Sequence, residues 1–369
     1  MTFAINQNVS ELIKSKNDLH LSVYIPQTNG PADLKKYLRK AYKESLPYLD
    51  AVLNIKERND FLKPLSDLIN NYDQLKNFKY ALGIFRTRNK FRVYSIPNEV
   101  QYTMITANSF HIKPLLHWMQ YEKDFYLLGV GQSYACLYSC NQTEIKLVEK
   151  IYYSEDMVIN KNDNFDIQFK KERKRMQNIT KTSDWLTSWI MDILTKDKKF
   201  LYFAGDKEIV NLLRRNLPYF LKSEINQKEY FDESMAIDIV NKIRFDIKHA
   251  TTKKIKDVVF EYQSATENEA ASSIKRNLFT IARAAVKGKI KKLVISKEKK
   301  IFGKIDKNTG GLAIHYDHLD HEDDDLLDDI AQIVIENGGE VYVADKEQFP
   351  KGHAIMAILK PGKTISEGL

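Results

Sequence analysis

Apolar positions along the chain change period several times, and the changes divide it into three blocks. An alternating run over His20–Ile25 predicts a strand, stopped by Pro26 and a turn at Thr28, Asn29, Gly30 and Pro31. Leu34, Leu38 and Tyr42 share one face of a following helix, and Leu62, Leu65, Leu68 and Ile69 mark a second helix over Phe61–Asn70. Two more alternating runs, Tyr80–Phe85 and Lys90–Ser95, flank Thr87, Arg88 and Asn89 and predict a hairpin. This first block, 1–122, reads as an α+β domain.

The second block, 123–256, opens with the apolar run Phe125–Cys140, read as one strand, followed by a neighbour over Glu144–Tyr152. A polar, basic stretch, Ser154–Ser183, precedes a helix carrying Trp185, Leu186, Trp189, Ile190 and Ile193. A short apolar strand, Phe200–Ala204, turns at Gly205 and Asp206 into a helix over Lys207–Arg215, an order that suggests a crossover unit and a partly parallel sheet. A long helical stretch, Glu233–Phe260, runs across the end of the block.

The third block, 257–369, starts with a predicted helix over Glu267–Lys287, where Ile274, Leu278, Ile281 and Ala285 mark one face and Gly288 ends it. A strand at Lys292–Ser296, a loop around Gly310 and Gly311, a helix at Leu326–Glu336 stopped by Gly338 and Gly339, and a strand at Val341–Ala344 follow. Helix and strand in alternation predict an α/β/α sandwich. The expected class is therefore α/β and α+β, multidomain.

Charge adds a direction. Lys plus Arg outnumber Asp plus Glu by 57 to 49 in 369 residues, for a net charge of +8, which favours an anionic partner such as RNA. Five of the six residues from Lys170 to Arg175 are basic, and no glycine occurs between Gly131 and Gly205 around them. Read alone, such a run is a solvated helix face. No run of eighteen apolar residues exists, and Met1–Asp18 lacks the apolar centre of a secretory leader, so the expectation is a soluble, cytoplasmic protein with no membrane partner. Cys136 and Cys140, the two cysteines, lie on a predicted strand roughly 13 Å apart, which predicts buried free thiols.

Several chemistries lack their residues. There is no glycine-flanked serine elbow and no phosphate loop ending in Lys and Ser or Thr. The run Phe125–Cys140 contains no Asp or Glu, which argues against a two-metal nuclease there. His315, His318 and His321 recur at every third residue, but turn character and the absence of an outlying Cys or His cluster speak against a metal set. The acidic run Asp317–Asp329 reads as a polar face whose carboxylates complement the start of the helix that follows. No cofactor and no metal are expected.

Asn54, Ile55, Lys56, Glu57, Arg58 and Asn59, then Leu62, Pro64 and Leu65, resemble the codon-proximal loop and following helix of archaeal and eukaryotic class I release factors. That family has serine where Glu57 stands. Asn108, Phe110 and His111 resemble the end of its second decoding element, with Met104 and Thr106 in place of a tyrosine and a cysteine. Phe200–Gly205 (FLYFAG) is similar to the middle domain, and Ala284–Ser296 and Asp323–Ala344 to the third. The order HLSVYIP, FLKPL, FHIKPLL, FAG and GGEVYV resembles the bacterial branch of this release factor and Pelota family.

The resemblance implies a ribonuclease H-like middle domain without nuclease activity and a third domain like kink-turn-binding ribosomal proteins. It also implies the ribosome as partner, with 16S and 23S rRNA contacts in the A site and delivery by elongation factor Tu. Asn54, Ile55, Lys56, Glu57, Arg58, Asn108, Phe110 and His111 would face the decoding centre. Asn162–Lys181 falls where release factors carry Gly-Gly-Gln, so Gln168, Phe169, Lys170, Lys171, Arg173, Lys174 and Arg175 would face the peptidyl transferase centre. Asp166 and Ile167 precede Gln168, and neither allows the backbone approach that paired glycines give. The expectation is a non-enzymatic hibernation factor that fills the A site under stress. The alternatives are a rescue factor hydrolysing peptidyl-tRNA through Gln168, or a stand-alone RNA adaptor using 257–369.

Overall fold

The structure, a computed structural model, describes residues 10–97, 99–121, 123–153, 168–197, 199–205, 207–217, 231–267, 274–275, 277–349 and 352–361. Two compact units emerge: Met1–Tyr121 with Thr251–Leu369, and Glu122–Ala250.

The first unit begins with α1 (Ser10–Ile13), β1 (Lys16–Ile25), α2 (Pro31–Asp50), α3 (Ile55–Asn70), α4 (Tyr72–Leu75), β2 (Ala81–Arg86), β3 (Phe91–Ile96), β4 (Thr103–Ser109) and α5 (Lys113–Met119). The strands form an antiparallel sheet in the order β3-β2-β1-β4. Side chains alternate along β1: Leu19, Leu21, Val23 and Ile25 enter a core with Leu34, Leu38, Leu62 and Leu65 of α2 and α3. Tyr24 enters the opposite core with Phe85, Tyr94, Phe110 and Trp118. The hairpin is as expected, whereas β4 was not foreseen, because its small polar residues Thr103, Thr106 and Ser109 hide the alternation. The second helix starts six residues earlier than its apolar spacing suggested, since a side-chain cap rather than an apolar residue sets its start.

The second unit holds β5 (Phe125–Val130), β6 (Tyr134–Cys140), β7 (Ile145–Tyr152), α6 (Gln168–Lys196), β8 (Phe200–Gly205), α7 (Lys207–Asn216) and the first part of α8 (Ala236–Glu267). The run Phe125–Cys140 is two strands, not one: Phe125 pairs with Cys140 across an antiparallel hairpin. A continuous apolar run reads the same on either side of a tight turn, so its length was the missed clue. Both cysteines are free and buried on β6. The sheet order is β7-β6-β5-β8, with β8 parallel to β5, as the crossover pattern predicted. Leu186, Ile190 and Leu213 from α6 and α7 cover one face, and Ile239, Val240 and Ile243 of α8 cover the other. At Gly205 the backbone has φ 141° and a Cβ would stand 2.2 Å from the Val130 carbonyl oxygen, so only glycine fits.

The chain then returns to the first unit. Ile255, Val258 and Tyr262 of α8 pack on one face of a sheet through Val294, Tyr342 and Met356. The remaining elements are β9 (Ile274–Lys275), α9 (Leu278–Val286), β10 (Ile290–Ser296), β11 (Phe302–Ile305), β12 (Leu312–Ile314), β13 (Asp324–Asp325), α10 (Leu326–Glu336), β14 (Glu340–Ala344) and β15 (Ile355–Leu359). The sheet order is β14-β10-β15-β9, and Ile281 and Ala285 of α9 with Ile330 and Val334 of α10 cover its other face. This is the α/β/α layering expected. Among the described residues of the helix predicted over Glu267–Lys287, Glu267 ends α8, Ile274 belongs to β9, and α9 starts where Asn277 accepts from the Phe279 and Thr280 amides. The loop at Gly310 and Gly311 joins β11 and β12, part of a small sheet ordered β12-β11-β13.

Candidate nucleic-acid interface

The start of α3 is fixed by its own side chains. Asn54 Oδ1 accepts from the Glu57 amide at 2.9 Å, and Glu57 Oε2 accepts from the Asn54 amide at 3.1 Å, a reciprocal capping box. Glu57 thus serves the helix at the position where the resembling family has serine. Arg58 donates to Asp50 Oδ1 at 2.8 Å, linking this turn to the end of α2. From β2, the buried Arg86 guanidinium donates to the Phe61 carbonyl at 2.7 Å and the Asp60 carbonyl at 3.2 Å. Ile55 is left 70% exposed, and Lys56 is exposed with no ion-pair partner among the described residues. An apolar side chain beside an ammonium, on a helix start held from three sides, suits stacking and phosphate contact.

The other residues expected at this end separate. Asn108 is exposed at the end of β4, but Phe110 and His111 are fully buried. Phe110 packs edge-on against His20 at 4.4 Å and Phe85 at 5.4 Å, so it is a core residue and not an RNA contact. His111 is likewise corrected: its amide donates to Ser22 Oγ at 3.0 Å and its carbonyl accepts from Tyr24 Oη at 2.8 Å, locking the ring inside. Of the residues expected to face the peptidyl transferase centre, Gln168 is the first residue of α6, and Phe169, Lys170, Lys171, Arg173, Lys174 and Arg175 occupy its opening turns. Their side chains lie outside the described residues, as do Asp166 and Ile167.

The acidic run does supply the start of α10, as expected, with Asp325 as its cap, but from Asp323 onward it is enclosed rather than a surface face. Asp323, Asp324, Asp325, Asp328 and Asp329 are all buried. Lys113, itself buried, pairs with Asp325 Oδ2 and donates to the Lys299 carbonyl at 2.6 Å. Asp325 also accepts from the Leu327 amide at 3.2 Å, capping α10. Ser109 Oγ lies 3.1 Å from both Asp324 Oδ2 and Asp329 Oδ1. Asp328 accepts from the Ile112 amide at 3.0 Å and from Gln332 Nε2 at 2.9 Å. Burial holds the Asp324, Asp328 and Asp329 carboxyls above the usual range, and burial pushes the His111 imidazole down to about 3. Sequence reading missed this knot. The available signal was the four-residue spacing of Asp328 and Gln332 on one face of a helix whose other positions are mostly apolar, with Asp324 four residues before Asp328 on the strand that leads into it.

The three regularly spaced histidines do not converge. His315 Nδ1 contacts Asp323 Oδ1 at 2.8 Å, while His318 Nε2 reaches the Thr106 carbonyl at 2.9 Å and its ring stacks on Tyr48 at 4.5 Å. Among the described residues, no helix is long and apolar enough to cross a membrane.

No protein-family model matches the chain, and no curated protein matches it. Among solved structures, an archaeal translation termination factor, aRF1, is 15% identical over 95% of this chain and 96% of its own, with a TM-score of 0.24. Dom34 of S. cerevisiae, a translation termination-like factor, is 14% identical over 73% of each chain, with a TM-score of 0.42. An archaeal Pelota, from a model of its ribosome-bound form with ABCE1, is 11% identical over 96% of this chain and 94% of its own, with a TM-score of 0.40.

Proposed function

We propose that this chain is a ribosome-binding translation factor that occupies the A site, contacts 16S and 23S rRNA, and halts translation under stress without hydrolysing peptidyl-tRNA. The observation that carries the reading is the exposed, doubly capped start of α3. Ile55 and Lys56 stand outside any core on the segment that resembles a codon-proximal loop. A second support is the concentration of Lys170, Lys171, Arg173, Lys174 and Arg175 in the opening turns of α6, where the resembling factors carry their catalytic loop. Because Asp166 and Ile167 replace paired glycines before Gln168, the limb would enter an RNA-lined cavity without positioning water. In this the chain resembles the hibernation factor Balon, and by the same resemblance elongation factor Tu is the delivery partner.

Co-sedimentation with ribosomes across a salt series tests it. Neutralising the five cations of Lys170–Arg175 to glutamine is expected to flatten the slope of log affinity against log salt by up to about 4, at roughly 0.7 to 0.9 per phosphate contact. Lys56→Glu is expected to weaken binding, and a toeprint is expected to place the protein in the A site. Binding indifferent to both changes at low salt would sink the reading. Single-turnover release above background that falls in Gln168→Ala would replace it with the rescue reading.

A further inference from the structure

One part of the first unit is closed to solvent: the buried knot where the end of β4 and the segment before α5 meet β13 and α10. Its centre is His111, fully enclosed, with neither ring nitrogen hydrogen-bonded. Nδ1 stands 3.6 Å from Asp324 Oδ1 and 3.8 Å from Asp328 Oδ2. These separations are too long for hydrogen bonds. They match the spacing of two atoms bound to one ion, because ligands at about 2.1 Å in tetrahedral array stand about 3.4 Å apart. One ligand atom from each of His111, Asp324 and Asp328 lies within 4.8 Å of the other two.

We propose that His111, Asp324 and Asp328 form a structural site for one divalent transition-metal cation of the zinc class, clamping the β4–α5 segment to α10. The donor set selects the class: an imidazole beside two carboxylates suits zinc and its first-row neighbours, whereas magnesium and calcium take all-oxygen shells.

The surroundings are those of a metal site rather than of a stranded histidine. Each carboxylate ligand is oriented by outer donors: Asp324 by the Asp325 amide at 2.7 Å and Ser109 Oγ at 3.1 Å, Asp328 by the Ile112 amide and the Gln332 amide nitrogen. His111 is held by its own backbone, through Ser22 and Tyr24. Gln332 Oε1 is buried without a partner on the side chain that touches Asp328. Charge points the same way. Lys113 matches Asp325, which leaves Asp324, Asp328 and Asp329 buried together, with Lys300 acting on Asp324 and Lys307 on Asp329. A divalent ion offsets what these carboxylates lack, and the neutral imidazole supplies the lone pair such an ion needs. His111 and Lys113 also border a cavity of about 450 Å³.

The test uses the full chain, stripped with chelator and desalted. After exposure to zinc and a second desalting, elemental analysis is expected to find close to one zinc per chain, and the thermal midpoint is expected to rise by several degrees. A variant with His315, His318 and His321 all changed to glutamine should keep that zinc, and His111→Gln and Asp328→Asn should lose it. Should the His111 and Asp328 variants fail to fold, X-ray absorption on the triple-glutamine variant decides, with an imidazole in an all-nitrogen-and-oxygen shell expected. The proposal is overturned if wild type, given zinc, manganese or cobalt in separate samples, retains under a tenth of an equivalent of each. It is equally overturned if folded His111→Gln keeps its zinc, or if the triple variant's metal shows no imidazole. The knot would then hold protons.

Discussion

Placing a methyl group on Gly129 would drive it into occupied space. An ideal Cβ there stands 2.3, 2.4 and 2.5 Å from three atoms of the Phe231 ring, where carbon atoms rest at about 3.5 Å or more. The ring must therefore retreat by roughly 1 Å. Its backbone is tied, because the Phe231 amide donates to the Val130 carbonyl at 3.2 Å, and the side chain is enclosed in the core that Tyr138 and Ile239 share. Overpacking of this kind costs about 1 to 3 kcal/mol, and a tethered ring puts Gly129→Ala near the upper end, a shift of roughly a hundredfold in the folding equilibrium of this unit. Phe231→Ala alone is expected to cost about 3 to 5 kcal/mol through the cavity it leaves. In that background the new methyl enters vacated space, so Gly129→Ala should cost close to nothing, a coupling of about 3 kcal/mol. Urea unfolding in a Trp118→Phe background measures this, since Trp185 and Trp189 then report the second unit alone. Additive effects of the two substitutions would refute the account of why glycine is required there.

Three further outcomes are expected. Burial pushes the Cys140 thiol up to about 12 and raises Cys136 as well, so iodoacetamide at pH 8 should label neither thiol faster than the second unit unfolds, and stoichiometric labelling within minutes would contradict their placement. His117, at 3.4 Å, and Lys297, at 3.1 Å, hold the Asp345 carboxyl well below its ordinary 3.8. Its contribution is therefore present above the unfolded value and lost as pH falls below it; wild type should lose more stability than Asp345→Asn between pH 5 and about 2, and parallel pH profiles would count against the pairing. Asn54→Ala should destabilise the first unit by about 1 kcal/mol through loss of the α3 cap, whereas Ile55→Asp should leave stability within about 0.5 kcal/mol and weaken ribosome binding; the reverse pattern in urea melts and pelleting assays would separate neither role as described.

Local chemistry was legible in the order of residues. The alternation of Leu19, Leu21, Val23 and Ile25, the helical spacing of Leu62, Leu65 and Leu68, and the strand-then-helix order at Phe200–Asn216 each state a period that a backbone must follow, and the observed elements follow it. The segment at Ile55 and Lys56 was singled out only by its resemblance to a codon-proximal loop; the Asn54 and Glu57 cap that starts α3 there was not read from the apolar spacing. Contacts between distant segments were not legible. Phe110 and His111 look like surface residues beside polar neighbours until Tyr24, 87 residues away, accepts them into a core. The aspartates before and within α10 read as no more than a polar helix start until Ser109 and Lys113, more than 200 residues earlier, close over them. Period is a property of neighbours along the chain, but burial and the partner of a charge depend on which surfaces meet. That is why the folding pattern could be read from the sequence, while the His111, Asp324 and Asp328 knot came into view only once its two strands of chain were brought together.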